Sequence, residues 1–260
     1  MHRPLYNQLV PYYEILEGRD WQSEIKLITS ILRNHKSKSV VDLGCGTGYH
    51  VRALAKFGFE AVGIDISKQN IQFARTKAKQ ENVHPRFVVG SYYDYHPDEI
   101  CDAALCLNWS IPVRDREVKR FLDNTSSLLR QEGVVIFDYE QVSQIVWGDV
   151  GKAITESWDL DGKLLVRISL GQIASNVLSS RDVYIIYSKS SRPMAPGEAS
   201  RYQPAKGAHV QTYVDSSYVR FFSVREIRKL AQHSGFTMVA DFTIPRKKYR
   251  RHYAVLMKTC

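Results

Sequence analysis

Asp42-Leu43-Gly44-Cys45-Gly46-Thr47-Gly48 is the stretch that decides the fold. It follows an apolar run that predicts a buried strand over 39–43, and it precedes a predicted helix over 49–57. Three glycines in a strand-to-helix turn allow a tight bend and let a ligand approach the backbone closely. Gly48 is not followed by lysine and then serine or threonine, which argues against a triphosphate-binding P-loop.

An acid at the end of the next predicted strand strengthens this signal. Asp65 closes the strand predicted over 60–64 and lies 17 residues after Gly48. A carboxylate at that place can accept hydrogen bonds from both hydroxyls of a ribose. The glycine turn, its strand–helix context and the strand-end acid together indicate a ligand that contains ribose. A dinucleotide is one such ligand and stays an alternative at this point.

The pattern along the chain predicts the architecture. Strand and helix signals alternate over the first ~140 residues, which is typical of a parallel sheet wrapped by helices. Further strands are predicted over 86–89, 101–107 and 134–137, and helices over 4–32 (two, broken near 18–20), 67–81 and 115–130. Short alternating strands follow over 154–160, 163–170, 182–188 and 210–221, then a helix capped by Ser223 and strands over 237–242 and 253–258. We predict an α/β fold: a doubly wound, seven-stranded, mostly parallel sheet with an antiparallel β insertion after strand five.

Composition narrows the class of protein. The 260 residues are 44% hydrophobic and 24% charged, which is typical of a globular chain. No apolar run reaches the ~18 residues of a membrane span, and no secretory signal follows the N-terminus. The four cysteines form no CxxC pair, and Cys101 and Cys106 are expected on opposite faces of one strand. We expect reduced thiols, no metal site, no membrane partner and a cytoplasmic location.

The net charge of +9 is unevenly distributed. Residues 1–144 hold 18 basic and 18 acidic residues, so the whole excess lies in residues 145–260. The densest cluster is Arg246-Lys247-Lys248-Tyr249-Arg250-Arg251-His252. Its arginines could bind a substrate phosphate, or the cluster could bind RNA with Tyr249 and Tyr253 stacking on bases.

The glycine stretch resembles the first motif of the class I (Rossmann-like) S-adenosylmethionine-dependent methyltransferases. The resemblance covers almost the whole chain, including Asp65, Gly90-Ser91-Tyr92, Leu107-Asn108-Trp109 and residues 128–135. It implies S-adenosylmethionine as cofactor and S-adenosyl-L-homocysteine as product. The implied cofactor-binding residues are Asp42, Gly44, Cys45, Gly46, Gly48, Asp65, Ile66, Ser91, Tyr92, Asn108 and Tyr13. Ser91 stands where the family usually has an acid.

The segment from Tyr12 to Trp21 is similar to the lid helix of small-molecule N-methyltransferases that act on glycine or amino sugars. The insertion likewise resembles their substrate-covering sheet. These resemblances imply a cofactor-binding domain over residues 1–142 and 223–260, with lid helices over 1–35. They also imply a substrate-covering subdomain over 143–222.

Proton transfer and acceptor binding need further residues. A hydroxyl acceptor requires a general base, whereas a neutral amine only has to lose a proton. The candidates for this task are Tyr139 and Glu140 after strand five, and His50 beyond the glycine turn. The candidates for substrate binding are Trp109, His209, Tyr213, Arg246 and Arg250.

The acceptor is predicted to be a small molecule. Asn108-Trp109-Ser110-Ile111 lacks the Asn/Asp-Pro-Pro-aromatic motif of many methyltransferases of nucleic-acid base amines, and no RNA-binding module is recognisable. We therefore expect methyl transfer by in-line displacement to a nitrogen or oxygen of a small, anionic or phosphorylated acceptor. The alternatives are an RNA or protein methyltransferase that docks through the basic C-terminal half, and a non-catalytic protein that binds S-adenosylmethionine for regulation.

Overall fold

The alternation of strands and helices is present in the structure, a computed structural model that describes residues 3–18, 21–96, 100–108, 110–141, 150–160, 162–188, 209–245 and 250–259. The helices are α1 (Tyr13–Leu16), α2 (Trp21–Asn34), α3 (Tyr49–Lys56), α4 (Lys68–Gln80), α5 (Asp115–Leu128) and α6 (Val224–Gln232). The strands are β1 (Ser39–Leu43), β2 (Glu60–Asp65), β3 (Arg86–Val89), β4 (Cys101–Cys106), β5 (Leu129–Tyr139), β6 (Ala153–Leu160), β7 (Lys163–Ala174), β8 (Val177–Ser188), β9 (His209–Arg220), β10 (Phe236–Pro245) and β11 (Arg250–Lys258).

Seven strands form the main sheet in the order β10-β11-β5-β4-β1-β2-β3. β1 to β5 pair in parallel, and β11 is antiparallel to both β5 and β10. The predicted α/β fold with a mostly parallel sheet is confirmed. Because β1 lies between β2 and β4, the strand order reverses at β1, and the carboxyl ends of β1 and β4 border the crevice where such sheets bind ligands.

Helices cover both faces of this sheet. On one face α2, α3 and α4 pack around buried apolar residues such as Ile28, Val51 and Ala74. On the other face α5 and α6 pack around Phe121 and Ile227. Neighbouring residues of one strand therefore point into different layers, which decides which strand-end side chains can meet at the crevice.

The chain divides into two compact units. One consists of Met1–Ile145 and Val219–Cys260, and the other of Val146–Tyr218. The second unit contains a four-stranded sheet in the order β6-β7-β8-β9, in which β6 with β7 and β7 with β8 are antiparallel. Its buried residues include Leu165, Tyr184 and Ile186. The function predicted for the insertion over 143–222 stays a prediction.

The N-terminal segment differs from the two predicted helices. Short 3₁₀ turns at Pro4–Tyr6 and Val10–Tyr12 precede the four-residue α1, and only α2 is a long helix. Pro11 lies in the middle of the predicted first helix, and it has no N–H to donate to a preceding helical turn. The first predicted helix was therefore wrong over most of its length.

β5 also begins earlier than the predicted strand over 134–137. Cys101 pairs with Leu129, whereas Ala103 pairs with Val134, so the register shifts between the two pairs. The shift leaves Cys101 and Cys106 in the same core layer, and the expectation that they face opposite sides was wrong. Simple strand alternation fails here, next to the register shift between Cys101 and Ala103.

Candidate functional site

The glycine turn after β1 depends on the conformational freedom of glycine. Gly44, Gly46 and Gly48 have φ angles of 85°, 53° and 75°, a region that other residues rarely adopt. A Cβ atom on Gly44 would lie 2.8 Å from the Ser110 hydroxyl, whereas a Cβ on Gly46 would meet only the Tyr13 ring at 3.9 Å. A side chain at Gly44 would therefore clash with Ser110, whereas the space beside Gly46 is more open.

Asp65 is fixed against this turn at the end of β2. Its Oδ2 accepts a hydrogen bond from the Gly46 N–H at 2.9 Å, and its Oδ1 accepts one from the Ser67 N–H at 2.8 Å. Burial raises the pKa of the Asp65 carboxyl, and these backbone donors oppose the rise. Each carboxylate oxygen can accept more than one hydrogen bond, so the group is oriented and still able to bind hydroxyls of a ligand.

Asp42 is the buried acid of the site. Its side chain is 2% exposed, and its Oδ2 has no hydrogen-bond partner among the described residues. Burial raises the pKa of Asp42 to about 6, His50 lowers it, and Asp65, Glu24 and Asp138 raise it further. A buried carboxylate oxygen without a partner is costly, so a cationic ligand at this position would be stabilised.

A cavity lies between the glycine turn and the end of β4. It brings together seven of the residues predicted from sequence, and it adds Trp21, Thr47 and Leu107, which the prediction missed. The lining residues are Tyr13, Trp21, Asp42, Gly44, Cys45, Gly46, Thr47, His50, Leu107 and Asn108. Trp21 could have been found from sequence, because it follows the helix break at Gly18 in the segment that resembles a lid.

Asn108 borders the cavity in a left-handed conformation, with φ at 67°. Its Oδ1 accepts a hydrogen bond from the Arg251 Nη1 at 3.1 Å, and Arg251 forms an ion pair with Asp138. Arg251 is fully buried. The phosphate contact expected of Arg246, Arg250 or Arg251 stays a prediction, and the guanidinium of Arg251 already has Asp138 as a partner.

The N-terminal segment is tied to the glycine turn. Glu14 Oε1 accepts hydrogen bonds from the Thr47 hydroxyl at 2.9 Å and from the Arg52 Nη2 at 3.0 Å. The Ser67 hydroxyl donates to the Tyr6 carbonyl at 2.7 Å. These contacts hold α1, and with it Tyr13, beside Gly46.

Tyr139 and Glu140, two of the predicted catalytic residues, do not line the cavity. The Tyr139 hydroxyl donates to Asp241 Oδ1 at 2.9 Å, and its ring lies in the layer under α5 and α6. Glu140 is 8% exposed and forms a β-bridge with Phe221. Strand alternation explains the position of Tyr139, since the neighbouring Asp138 points to the site and Tyr139 must then point away. His50 is the member of the predicted set that reaches the cavity.

The residues predicted beside the adenine lie around the end of β2 and after β3. Ile66 follows Asp65 and is 76% exposed, which leaves an apolar surface available to a flat ring. The Ser91 hydroxyl accepts a hydrogen bond from the Tyr93 N–H at 3.1 Å, and the Tyr92 hydroxyl donates to the Ser110 carbonyl at 3.1 Å. Their contact with a cofactor stays a prediction.

The structure describes only some of the residues that were predicted to bind the substrate. His209 and Tyr213 lie on β9 in the second unit. Trp109, Arg246 and Tyr249 lie outside the described residues, and so does the side chain of Arg250. Tyr253 is fully buried and donates its hydroxyl proton to Glu24 at 2.7 Å, so the idea that it stacks on RNA was wrong.

The described residues contain neither a metal-binding cluster nor a membrane-spanning helix. No group of three or more His, Cys, Asp or Glu side chains in that part of the chain could hold a metal ion. None of its helices is long and apolar enough to cross a lipid bilayer.

Comparison with known proteins supports a methyltransferase. Residues 40–133 match the model of the methyltransferase domain family. The chain is 30% identical over 113 residues to a ubiquinone biosynthesis O-methyltransferase of Rickettsia akari (43% of this chain, 44% of that protein). It is 25% identical over 147 residues to a glycine/sarcosine N-methyltransferase of Parasynechococcus marenigrum (53% of this chain, 51% of that protein). The chain spans about half the length of the curated relatives it matches.

Solved structures extend the likeness in fold over the whole chain. The structure of CalS10 with bound S-adenosylmethionine, an amino pentose methyltransferase from Micromonospora echinaspora, aligns with a TM-score of 0.74 at 16% identity. The alignment covers 100% of both chains. The fold that the resemblance of the glycine stretch implies is thereby confirmed.

Proposed function

We propose that this chain, whose residues 40–133 match the model of the methyltransferase domain family, is a methyltransferase that uses S-adenosylmethionine. The methyl group goes to a nitrogen or oxygen of a small molecule. The observation that carries the proposal is the buried Oδ2 of Asp42, which has no hydrogen-bond partner in the described part of the chain. It lies beside a left-handed glycine turn, with Asp65 oriented on the next strand.

The residues present fit the cofactor. Asp42 would bind the ammonium of its methionine end, Asp65 the two ribose hydroxyls, and Ile66 one face of its adenine. S-Adenosylmethionine supplies a methyl group already activated by a sulfonium. S-Adenosyl-L-homocysteine is the product.

The protein's own contribution is alignment and exclusion of water. An activated methyl group needs a lone pair placed in line behind it, and holding the reactants in that geometry contributes a large part of the rate. Tyr13 and Trp21 wall the cavity from the N-terminal side. The hydrogen bond from Thr47 to Glu14 holds this side of the cavity in place. It thereby limits the entry of water that would compete with the acceptor.

The small-molecule class of acceptor is supported by the relatives. The Rickettsia relative is named as an O-methyltransferase, the Parasynechococcus relative as an N-methyltransferase, and CalS10 as acting on an amino pentose. These names divide between nitrogen and oxygen, so the proposal keeps both atoms. The part of the second unit in covering the acceptor, with His209 and Tyr213, is likewise a proposal.

Calorimetric titration with S-adenosylmethionine tests the cofactor assignment. Asp65→Ala removes a partner of two ribose hydroxyls, and each hydrogen bond to a charged group contributes about 1.5 kcal/mol or more, so affinity should fall at least ~100-fold. Asp102 is the matched control, because its Oδ2 also accepts bonds from two backbone N–H groups, those of Lys38 and Ser39, at the opposite edge of the sheet. Unchanged affinity in Asp65→Ala, or equal losses in Asp65→Ala and Asp102→Ala, would contradict the assignment.

A further inference from the structure

Arg251 is a buried charge for which the proposed function gives no task. Its side chain is fully buried, and its guanidinium pairs with Asp138, which is 1% exposed. A buried ion pair is by itself a weak source of stability, because both groups lose their hydration. The Nη1 atom that contacts Asp138 also donates to Asn108 Oδ1 at 3.1 Å. Arg251 therefore has a second contact, and that contact is with a residue that lines the cavity beside the glycine turn.

Three elements meet in this contact at the carboxyl edge of the main sheet. Asn108 follows β4, Asp138 lies near the end of β5, and Arg251 lies near the start of β11. β11 runs antiparallel to β5, and Tyr139 pairs with His252, so β11 begins where β5 ends. The hydrogen bond thus connects the turn after β4 to a residue 143 positions further along the chain.

Asn108 has a backbone conformation that needs such support. Its φ is 67°, in the left-handed region, which is unfavourable for residues other than glycine. Asparagine tolerates this region better than most residues, and the conformation persists where the surrounding structure fixes it. Arg251 fixes the side-chain amide by donating to its oxygen. The Ser110 hydroxyl donates to the Leu107 carbonyl at 2.8 Å and supports the same turn from within.

The conformation of Asn108 determines part of the cavity wall. Leu107 and Asn108 line the cavity together with the glycine turn. If residue 108 left the left-handed region, the chain after Leu107 would take another direction, and this wall would have to form again when a ligand binds. A wall that is already formed spares the ligand that ordering, which strengthens binding.

We propose that Arg251 is a positioning residue: it holds Asn108 in the left-handed conformation and so keeps this wall formed before S-adenosylmethionine binds. Arg251 acts through Asn108 and is not itself a ligand-binding residue. Asp138 compensates the charge of Arg251 and orients its guanidinium. The inference rests on the proposed function, which assigns S-adenosylmethionine as the cofactor.

Substitutions at residue 108 test the role of the conformation while the ion pair stays intact. Affinity for S-adenosylmethionine is measured by calorimetry with the full chain. Asn108→Ala removes the acceptor for Arg251 and makes the left-handed conformation unfavourable, so affinity should fall roughly 10-fold. Asn108→Gly removes the same acceptor, but glycine adopts this conformation readily, so affinity should stay within ~3-fold of wild type.

Removal of the ion pair tests Arg251 itself. Arg251→Met combined with Asp138→Leu replaces both charges by apolar side chains, so that no buried charge is left alone. Asn108 then loses its charged donor, and affinity should fall roughly 10-fold. Adding Asn108→Gly should restore affinity to that of Asn108→Gly alone, because glycine needs no support in this conformation. A residue that only stabilised the sheet would give no such rescue.

Arg130→Met combined with Asp102→Leu is the matched control. It removes an ion pair between two neighbouring strands at the opposite edge of the sheet, so affinity should stay within ~3-fold of wild type. Thermal denaturation shows whether each variant is folded. If the ion-pair variant does not fold, Arg251→Lys takes its place, since it keeps a charge beside Asp138 and lacks the fork that reaches two partners.

The outcomes distinguish this inference from the proposed function. Wild-type affinity in Asn108→Ala or in the variant without the ion pair overturns the inference. Equal losses in Asn108→Ala and Asn108→Gly, or a loss without Arg251 that Asn108→Gly does not restore, also overturn it. In each of these cases wild type still binds S-adenosylmethionine, and the proposed function stands. If wild type binds neither S-adenosylmethionine nor S-adenosyl-L-homocysteine, the proposed function fails and this inference fails with it.

Discussion

Two aspartates of the main sheet show how position separates a binding residue from a structural one. Asp102 accepts hydrogen bonds from the Lys38 and Ser39 N–H groups and from Arg130, and its pKa is lowered to about 2. Asp42 lies buried at the other edge, its Oδ2 has no hydrogen-bond partner among the residues that the structure describes, and its pKa is raised to about 6. The charged form of Asp102 stabilises the fold, whereas the charged form of Asp42 destabilises it.

Asp42→Asn should therefore stabilise the protein while weakening cofactor binding. Because the pKa of Asp42 is raised from 3.8 to about 6, its charge opposes folding fully above pH 6 and not below pH 4. At pH 7.5 the variant should gain roughly 3 kcal/mol in free energy of unfolding, at ~1.4 kcal/mol per pKa unit. The gain should shrink as the pH falls through 6 towards 4.

Urea denaturation of both proteins at pH 7.5 and pH 4.5, without ligand, measures this difference. Calorimetry at pH 7.5 measures the loss of affinity for S-adenosylmethionine. A variant no more stable than wild type at pH 7.5, or one with unchanged affinity, would show that Asp42 is an ordinary satisfied carboxyl.

Residues of the site were predictable where the signal is local. Asp42, the glycines and Asp65 stand in one stretch of strand, turn, helix and strand, and their spacing alone brings them together. Arg251 was not predictable, because its burial follows from the antiparallel insertion of β11 between β5 and β10. The position of Tyr139 was open to sequence reasoning, since adjacent strand residues cannot both face the crevice.

Among the elements, α1 is the one whose attachment bears most on the site. Four residues make one helical turn, which is too short to be stable alone. Glu14 supplies its attachment through Thr47 and Arg52. Helix periodicity predicted one longer helix in this segment. Pro11 interrupts that helix, and only α1 is formed after it.

Glu14→Gln should loosen α1 and weaken cofactor binding. Loss of the charged partner of Arg52 and of an acceptor for Thr47 removes about 1 kcal/mol, which corresponds to roughly 5-fold in affinity if α1 closes on the ligand. Amide hydrogen exchange of Tyr13–Leu16 should accelerate, and calorimetry should show the weaker binding. Glu60→Gln is the control, because Glu60 is exposed and the charge change is identical. Exchange and affinity equal to those of the control would rule out a tethering role.

At the scale of the whole molecule, the main unit is assembled from two separate chain segments. Glu140 forms a β-bridge with Phe221, and the Phe222 N–H donates to the Glu140 carbonyl at 2.8 Å. The ends of the main unit's two segments therefore meet at one point. The insertion could be predicted because strand signals with turn residues replace the strand–helix rhythm, whereas its role in acceptor binding has no such local signal.

Replacing residues 146–218 by a short glycine–serine linker should leave a folded protein. Since the glycine turn and Asp65 lie in the main unit, affinity for S-adenosylmethionine should stay within ~3-fold of wild type, a change below about 0.7 kcal/mol. Methyl transfer should be lost, because the predicted acceptor-covering sheet is gone. Calorimetry and a methyl-transfer assay on the same preparation measure both quantities, and unchanged transfer would show that the insertion is dispensable for the acceptor.

The most direct test of the proposed function is transfer of a labelled methyl group from S-adenosylmethionine into a cell extract, followed by separation into metabolite, RNA and protein fractions. The site described here predicts label in the metabolite fraction, and it predicts that Asp65→Ala abolishes that label while Asp102→Ala keeps it. Label in RNA or protein would contradict the small-molecule acceptor and make the basic C-terminal half a docking face. Absence of label from every fraction, with S-adenosylmethionine still bound, would contradict the transfer itself.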